Sequence, residues 1–185
     1  MNYMAKAVNS FSWWSALRRS ALLLPLIAAG CFAPPQLSAD EADAARCAVP
    51  EDEIQLADEV LQLINLERAD LDLPPVVLNP VLTKVASDYA CRMIDHNFFL
   101  HQDPETGAGP GDRAREAEYL FYAVGENLAA GQATAAEVMD VWMESAAHRD
   151  IILDNRWQEV GIAVRFGGEY SIYWVQEFGE PVAQP

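Results

Sequence analysis

Residues 159–178 read EVGIAVRFGGEYSIYWVQEF. Val160, Ile162, Val164 and Phe166 alternate along the first half, the period of two that sets successive side chains on opposite faces of a strand. Gly167 and Gly168 supply a turn and Tyr170 to Phe178 return, so the segment reads as a β-hairpin. Upstream the period lengthens. His148 to Leu153 fits a short helix. Thr134-Ala135-Ala136-Glu137 is a capping box that opens another, with Val138, Val141 and Trp142 on its inner side. Glu126 to Ala130, bounded by Gly125 and Gly131, reads as a strand.

Further back, residues 96–111 form a loop rich in Pro and Gly, and Asp112 is placed to cap a short helix through Tyr119. Asn79 is a good N-cap with Pro80 at the first helical position, and Leu82, Val85, Ala86, Tyr89 and Met93 make the stripe of that helix. Ile54 to Ala69 carries Ala57, Val60, Leu61 and Ile64 at helical spacing until Leu73-Pro74-Pro75 stops it. Helices first and a hairpin last predict a layered α+β domain over residues 51–180.

The chain has 12 Lys and Arg against 28 Asp and Glu, a net charge of −16 over 185 residues. Lys6, Arg18 and Arg19 all precede the first acidic residue, Asp40. The remainder is therefore more acidic still. Such a surface repels phosphate backbones, which disfavours nucleic acid as a partner, and it attracts divalent cations or basic groups.

Arg18-Arg19 followed by the apolar run Ala21 to Ala29 reads as a signal peptide over residues 1–31, too short for the ~20 residues of a membrane span. Ala28-Ala29-Gly30-Cys31 resembles a bacterial lipobox, which would make Cys31 a lipidation site and an N-terminal lipid anchor the only membrane contact. Cleavage near Ala39 is the alternative. Residues 32–50, with Pro34-Pro35 and alternating Ala, Asp and Glu, read as a flexible tether. Cys47 and Cys91 remain as an even pair in an oxidising compartment, periplasmic, outer-membrane or secreted, where a disulfide is favoured over a reactive Cys91 thiol.

No HExxH, GxSxG, phosphate-binding glycine loop or CxxC is present. The chemistry-bearing residues are sparse. The three histidines are His96, His101 and His148; His101 follows Phe98-Phe99, and His148 sits where a helix begins, a position that lowers an imidazole pKa.

Six fragments in order resemble the CAP superfamily of cysteine-rich secretory proteins, antigen 5 and pathogenesis-related proteins. They are Asn65 to Ala69 with Leu73-Pro74-Pro75, Phe98 to His101, Gly125 to Ala129, Trp142 to Arg149 with Ile152-Leu153, Glu159 to Ala163, and Tyr173 to Gly179. The resemblance implies a three-layer α-β-α sandwich with a central antiparallel sheet. It also implies a cleft where His101, Glu126 and His148 meet, with Asp112 near the place of a fourth, acidic member. In the family such a cleft sometimes holds a divalent metal, here through His101 and His148, and two imidazoles with carboxylates suit zinc.

Three functions follow as expectations. The first is a non-enzymatic envelope module that binds a small or lipid-like ligand, or an envelope component, in this cleft. The second is a metal-assisted hydrolase or protease with Glu126 as general base. The third is a structural or adhesive envelope protein. The lack of a recognisable nucleophile favours the first. The bland alternative is that Glu126 and His148 only hydrogen-bond one another to fix two layers.

Overall fold

A computed structural model describes residues 46–183 of the chain. The expected signal peptide, Cys31 and most of the expected tether lie outside the described residues. Within them the elements follow as α1 (Glu53–Ala69), β1 (Val77–Leu78), α2 (Pro80–His96), α3 (Pro110–Glu116), β2 (Phe121–Ala130), α4 (Ala135–Glu144), α5 (Ala146–Ile152), β3 (Glu159–Gly167) and β4 (Ser171–Pro181).

The strands form one sheet in the order β1-β3-β4-β2, antiparallel except for β1, which runs parallel to β3. Helices cover both faces, giving the α-β-α sandwich. On one face Val60 and Ile64 of α1, Val138 and Trp142 of α4 and Ile152 of α5 pack on Val160, Ile162, Val164, Trp174 and Phe178. On the other, Ala86, Tyr89, Ala90 and Met93 of α2 pack on Leu128, Ala163, Tyr173 and Val175. The one-residue offset between these sets along each strand is the strand alternation itself. No helix among the described residues is long and apolar enough to cross a membrane.

Local chemistry sets the boundaries. Asn79 accepts from the Val81 and Leu82 amides, 2.8 and 3.2 Å, with Pro80 at the first helical position. Thr134 accepts from Glu137 N at 3.2 Å while the Glu137 carboxylate accepts from Thr134 N at 3.1 Å. Arg68, fully buried, donates to the carbonyls of Pro74, Ile152, Asp154 and Trp157 and so ties α1 to the turn after it and to the segment leading into β3.

Several expected boundaries move. Val141 is 40 % exposed, because the buried face of α4 is Ala135, Val138, Met139 and Trp142 and position 141 falls beside that stripe. β2 begins five residues earlier than read, at Phe121, where its pairing with β4 shows an irregularity between Phe121 and Ala123 that blurs the alternation. α3 begins at Pro110, and Asp112 caps from inside the helix by accepting from Gly109 N at 3.0 Å. β1 was not read at all: two residues after Pro75 carry no period.

Cys47 and Cys91 are disulfide-bonded, 44 residues apart in sequence. Closing a loop of that length stabilises by about 4 kcal/mol in the chain-entropy model. Ala48 exchanges two 2.8 Å backbone hydrogen bonds with Phe166, so the chain is fastened to the sheet a few residues ahead of Glu51.

Candidate functional site: a His-Glu-Arg row at the sheet edge

The cleft lies at β2, the edge strand remote from β1. Gly125 must be glycine here, since a Cβ would stand 2.9 Å from the Trp157 ring. The next two side chains then point to opposite faces. Glu126 faces α2 and α3. Asn127 faces the other layer, where its Nδ2 donates to the His148 carbonyl at 3.2 Å and to the buried Gln176 at 3.1 Å. The Gly-Glu-Asn triplet thus joins both layers through one strand.

Glu126 is buried, and both its oxygens are engaged. His101 Nδ1 donates to Oε1 at 2.7 Å, and Arg113 Nη2 donates to Oε2. With Nδ1 on the carboxylate, Nε2 is the ring nitrogen left to meet a ligand, and this side chain is 55 % exposed. Arg113 is held through both terminal nitrogens and its stacked face, while its buried Nε has no partner among the described residues. Its guanidinium carbon lies 3.3 Å over the Tyr89 ring, its Nη1 donates to the carbonyls of His101 and Ala108, and its Nη2 is 3.5 Å from Glu177 Oε1. Tyr89 in turn donates to the Leu100 carbonyl at 2.5 Å, and burial pushes its hydroxyl up to about 12 against the opposing pull of Arg113.

The loop that carries His101 is clamped to α2. Arg92 Nε donates to Asp103 at 2.7 Å, and the other carboxylate oxygen accepts from the Glu105 and Thr106 amides at 2.8 and 2.9 Å. Arg92 first, then these amides, hold the Asp103 carboxyl far below the usual carboxylate range. His96 belongs to this clamp, within 3.1 Å of Glu105.

The structure brings His101 and Glu126 into contact. It brings His148 near enough for the two imidazoles to repel when charged: His148 is pushed below its ordinary value first by burial and then by His101. His148 Nδ1 is buried and has no hydrogen-bond partner among the described residues. Glu126 and His148 do not bond one another. Asp112 is not in the cleft: its side chain is 63 % exposed, spent on the Gly109 amide and on Arg115. The buried carboxyl beside Glu126 is Glu177 instead.

Two residues of the row escaped the sequence reading. Arg113 sits in a short helix with no motif of its own, two residues from Arg115, and nothing local sets the two apart. Glu177 lies in the apolar run Tyr173 to Phe178, where a charged residue in an interior strand signals a buried partner.

His101 Nε2 and the unpartnered His148 Nδ1 are the nitrogens that would hold a metal, and Glu126 is not free to join them. Among the described residues no three His, Cys, Asp or Glu side chains are grouped to hold one. Glu126 has no oxygen to spare, and a cation beside Arg113 would meet its fixed positive charge. A groove of about 750 Å³ runs along α2 on the far side of Arg113, with Val81, Val85 and Tyr89 along it and Lys84, Arg92 and Glu116 at its rim.

Comparison with known proteins agrees with this fold. Residues 61–178 match the model of the cysteine-rich secretory protein family, CAP. The chain belongs to the CAP family. It is 34 % identical over 119 residues to YkwD of Bacillus subtilis, covering 64 % of this chain and 45 % of that protein, and 26 % identical over 106 residues to the membrane protein YlbC of the same organism, covering 57 % and 30 %. The chain therefore spans less than half the length of these relatives. Among solved structures, an extracellular SCP-domain protein of Bacillus anthracis aligns with TM-score 0.62 and 25 % identity over 79 % of this chain and 45 % of its own. An outer surface protein of Borrelia burgdorferi aligns with TM-score 0.65 and 20 % identity over 75 % and 99 %, a likeness of fold.

Proposed function

We propose that this chain is an exported envelope protein whose CAP domain binds a small ligand at the His101-Glu126-Arg113 row without transforming it. One observation carries the reading: both oxygens of Glu126 are consumed by fixed partners, so it is an orienting group and not a free base. What is left to meet a ligand is His101 Nε2, on a half-exposed ring oriented by the Nδ1 bond to Glu126. Export is supported by the Arg18-Arg19 leader, by the Cys47-Cys91 disulfide, and by the extracellular and outer-surface character of the two aligned structures. The groove along α2 gives an apolar-bodied ligand room beside the row.

The test is imidazole NMR of the full chain against an amphiphile series, a short glycan series and a peptide series. Saturable shifts at both His101 and His148 with one series are expected. Silence of both imidazoles toward all three removes the reading.

Hydrolysis is the second reading, and the same geometry assigns the base in it to His101 Nε2, oriented by Glu126 as the carboxylate orients the imidazole of a catalytic triad. Product release abolished by His101→Ala would favour it.

A further inference from the structure

The groove of about 750 Å³ along α2 has two unlike walls. On α2, Val81, Val85 and Tyr89 recur at the spacing that keeps side chains on one helix face, and Lys84, Asp88 and Arg92 follow one turn apart along the rim. Opposite stand Ala108 of the loop and Glu116, Ala117 and Glu118 at the end of α3. Every cation that lines the groove is already paired. Lys84 Nζ is 2.5 Å from Asp88, Arg92 Nε is 2.7 Å from Asp103, and Arg113 is bonded to Glu126. Glu116 and Glu118 are exposed and form no ion pair among the described residues, since the arginines of α3 go to Asp112 and Glu126 instead. Tyr119, next in the chain, donates to Glu159, and Asn79 donates to the same carboxylate, which sets the end of α3 beside the first turn of α2. The groove is therefore apolar along its floor and negative at one end.

We propose that this groove binds an extended basic peptide segment of about five residues, with a Lys or Arg side chain at the Glu116 and Glu118 end and apolar side chains over Val81 and Val85. Resting on the binding reading above, this names the class of ligand. The length follows from the helix: between Val81 and Arg92 α2 rises about 16 Å, and an extended chain covers about 3.3 Å per residue. The charge follows from the two unpaired carboxylates, which attract a cation, while an anion finds no cation left to receive it. That the ligand is a polypeptide follows from the rims. A hydrocarbon tail pairs with nothing on either side, whereas an extended chain sends successive side chains to opposite sides and carries polar main-chain groups between them. The segment lies against Tyr89 and Arg113, the stacked pair whose guanidinium also holds the His101 carbonyl, so groove and row share one side chain.

The experiment titrates the full chain with two peptides of that length, alternating Leu and Ala, blocked at both termini and ending in either one Lys or one Glu. Dodecyltrimethylammonium is the third probe. Calorimetry gives the affinities, and the amide shifts of Val81, Val85 and Ala117 give the place. The Lys peptide is expected to bind saturably with shifts at these amides, about tenfold tighter than the Glu peptide, and more weakly as salt rises. Glu116→Lys/Glu118→Lys, at an exposed helix end, should reverse the preference, an outcome that misfolding cannot imitate. Equal affinity for the two peptides, or a preference that the charge-reversed variant leaves unchanged, overturns the proposal. So does tighter binding of the ammonium amphiphile than of the Lys peptide, which would make the groove a site for cationic lipid. The imidazoles report on the row in the same titration. Shifts at His101 and His148 without shifts at the groove amides overturn the groove proposal and leave the binding reading standing. Shifting amides with silent imidazoles support the groove and count against the row.

Discussion

Gly161 of β3 lies against Leu82 of α2 so closely that a Cβ on the glycine would stand 2.0 Å from the Leu82 carbonyl carbon and 2.3 Å from its oxygen. The obstacle is backbone, which cannot swing aside as a side chain would. This contact seats α2 on the sheet, and α2 carries Tyr89 and the Arg92 clamp that fixes the His101 loop. The closeness of helix and strand at one glycine therefore sets the depth of the cleft.

Gly161→Ala is expected to lift the start of α2 and destabilise the fold by about 3 kcal/mol, the upper range for overpacking a core. Urea unfolding measures the loss, and the His101 imidazole resonance should broaden or move as its loop loosens. A variant as stable as the wild type would show that α2 is not seated by this contact.

Arg68→Ala should cost about 3 kcal/mol or more, because it strips the donors from four carbonyls, those of Ile152 and Trp157 among them in the interior. Arg68→Lys should recover little, since one ammonium cannot reach the fan of acceptors that a planar guanidinium spans. Chemical unfolding of the two variants checks both statements, and full rescue by lysine contradicts the second.

The residues that were legible from sequence are those whose meaning is local. Asn79 with Pro80, Thr134 with Glu137, the Gly167-Gly168 turn and the alternation of Val160 to Val164 each act on near neighbours, so a short window reveals them. The order of six fragments carried the fold. The site was harder because its parts answer to distant partners. Glu177 reads as strand, and only the β2–β4 register sets it against Glu126. Arg113 reads as an exposed helix cation, and only the packing of α3 beside β2 turns it inward. Asp112 was read both as a helix cap and, by order along the chain, as a member of the cleft; it caps, from inside a helix that starts at Pro110, and its side chain stays exposed. His148 was correctly set at a helix start, and its lowered basicity also reflects burial and His101, which a short window does not show.

His148 should titrate below the ordinary imidazole value of 6.5. The sign for stability follows. As pH falls below 6.5 the unfolded chain takes up this proton before the folded one, so the contribution of neutral His148 is present above that value and is lost as pH falls through the window beneath it. Imidazole NMR gives the titration directly. His101→Phe should raise the His148 value only part of the way, because burial is the larger cause. Full return to 6.5 would make His101 the main cause instead.

Arg113 is where the cleft and the fold share one side chain. It stacks on Tyr89, bonds the carbonyls of His101 and Ala108, and is the one arginine, among the described residues, that pairs with both Glu126 and Glu177. Arg113→Met keeps the bulk and removes the charge, stranding a buried carboxylate, and is expected to cost about 3–5 kcal/mol. Arg113→Lys keeps the charge but gives up the planar stack and the paired carbonyl bonds, so it should fall between the wild type and the methionine variant. The two can be told apart at the site as well as in stability. With lysine the Glu126 carboxylate keeps a cation beside it, and His101 should keep its Nδ1 bond to Glu126. With methionine that bond should be lost or displaced. The ¹⁵N shift of His101 Nδ1 reads the difference. A methionine variant with an unchanged Nδ1 shift would mean that Arg113 packs the cleft without holding Glu126 in place.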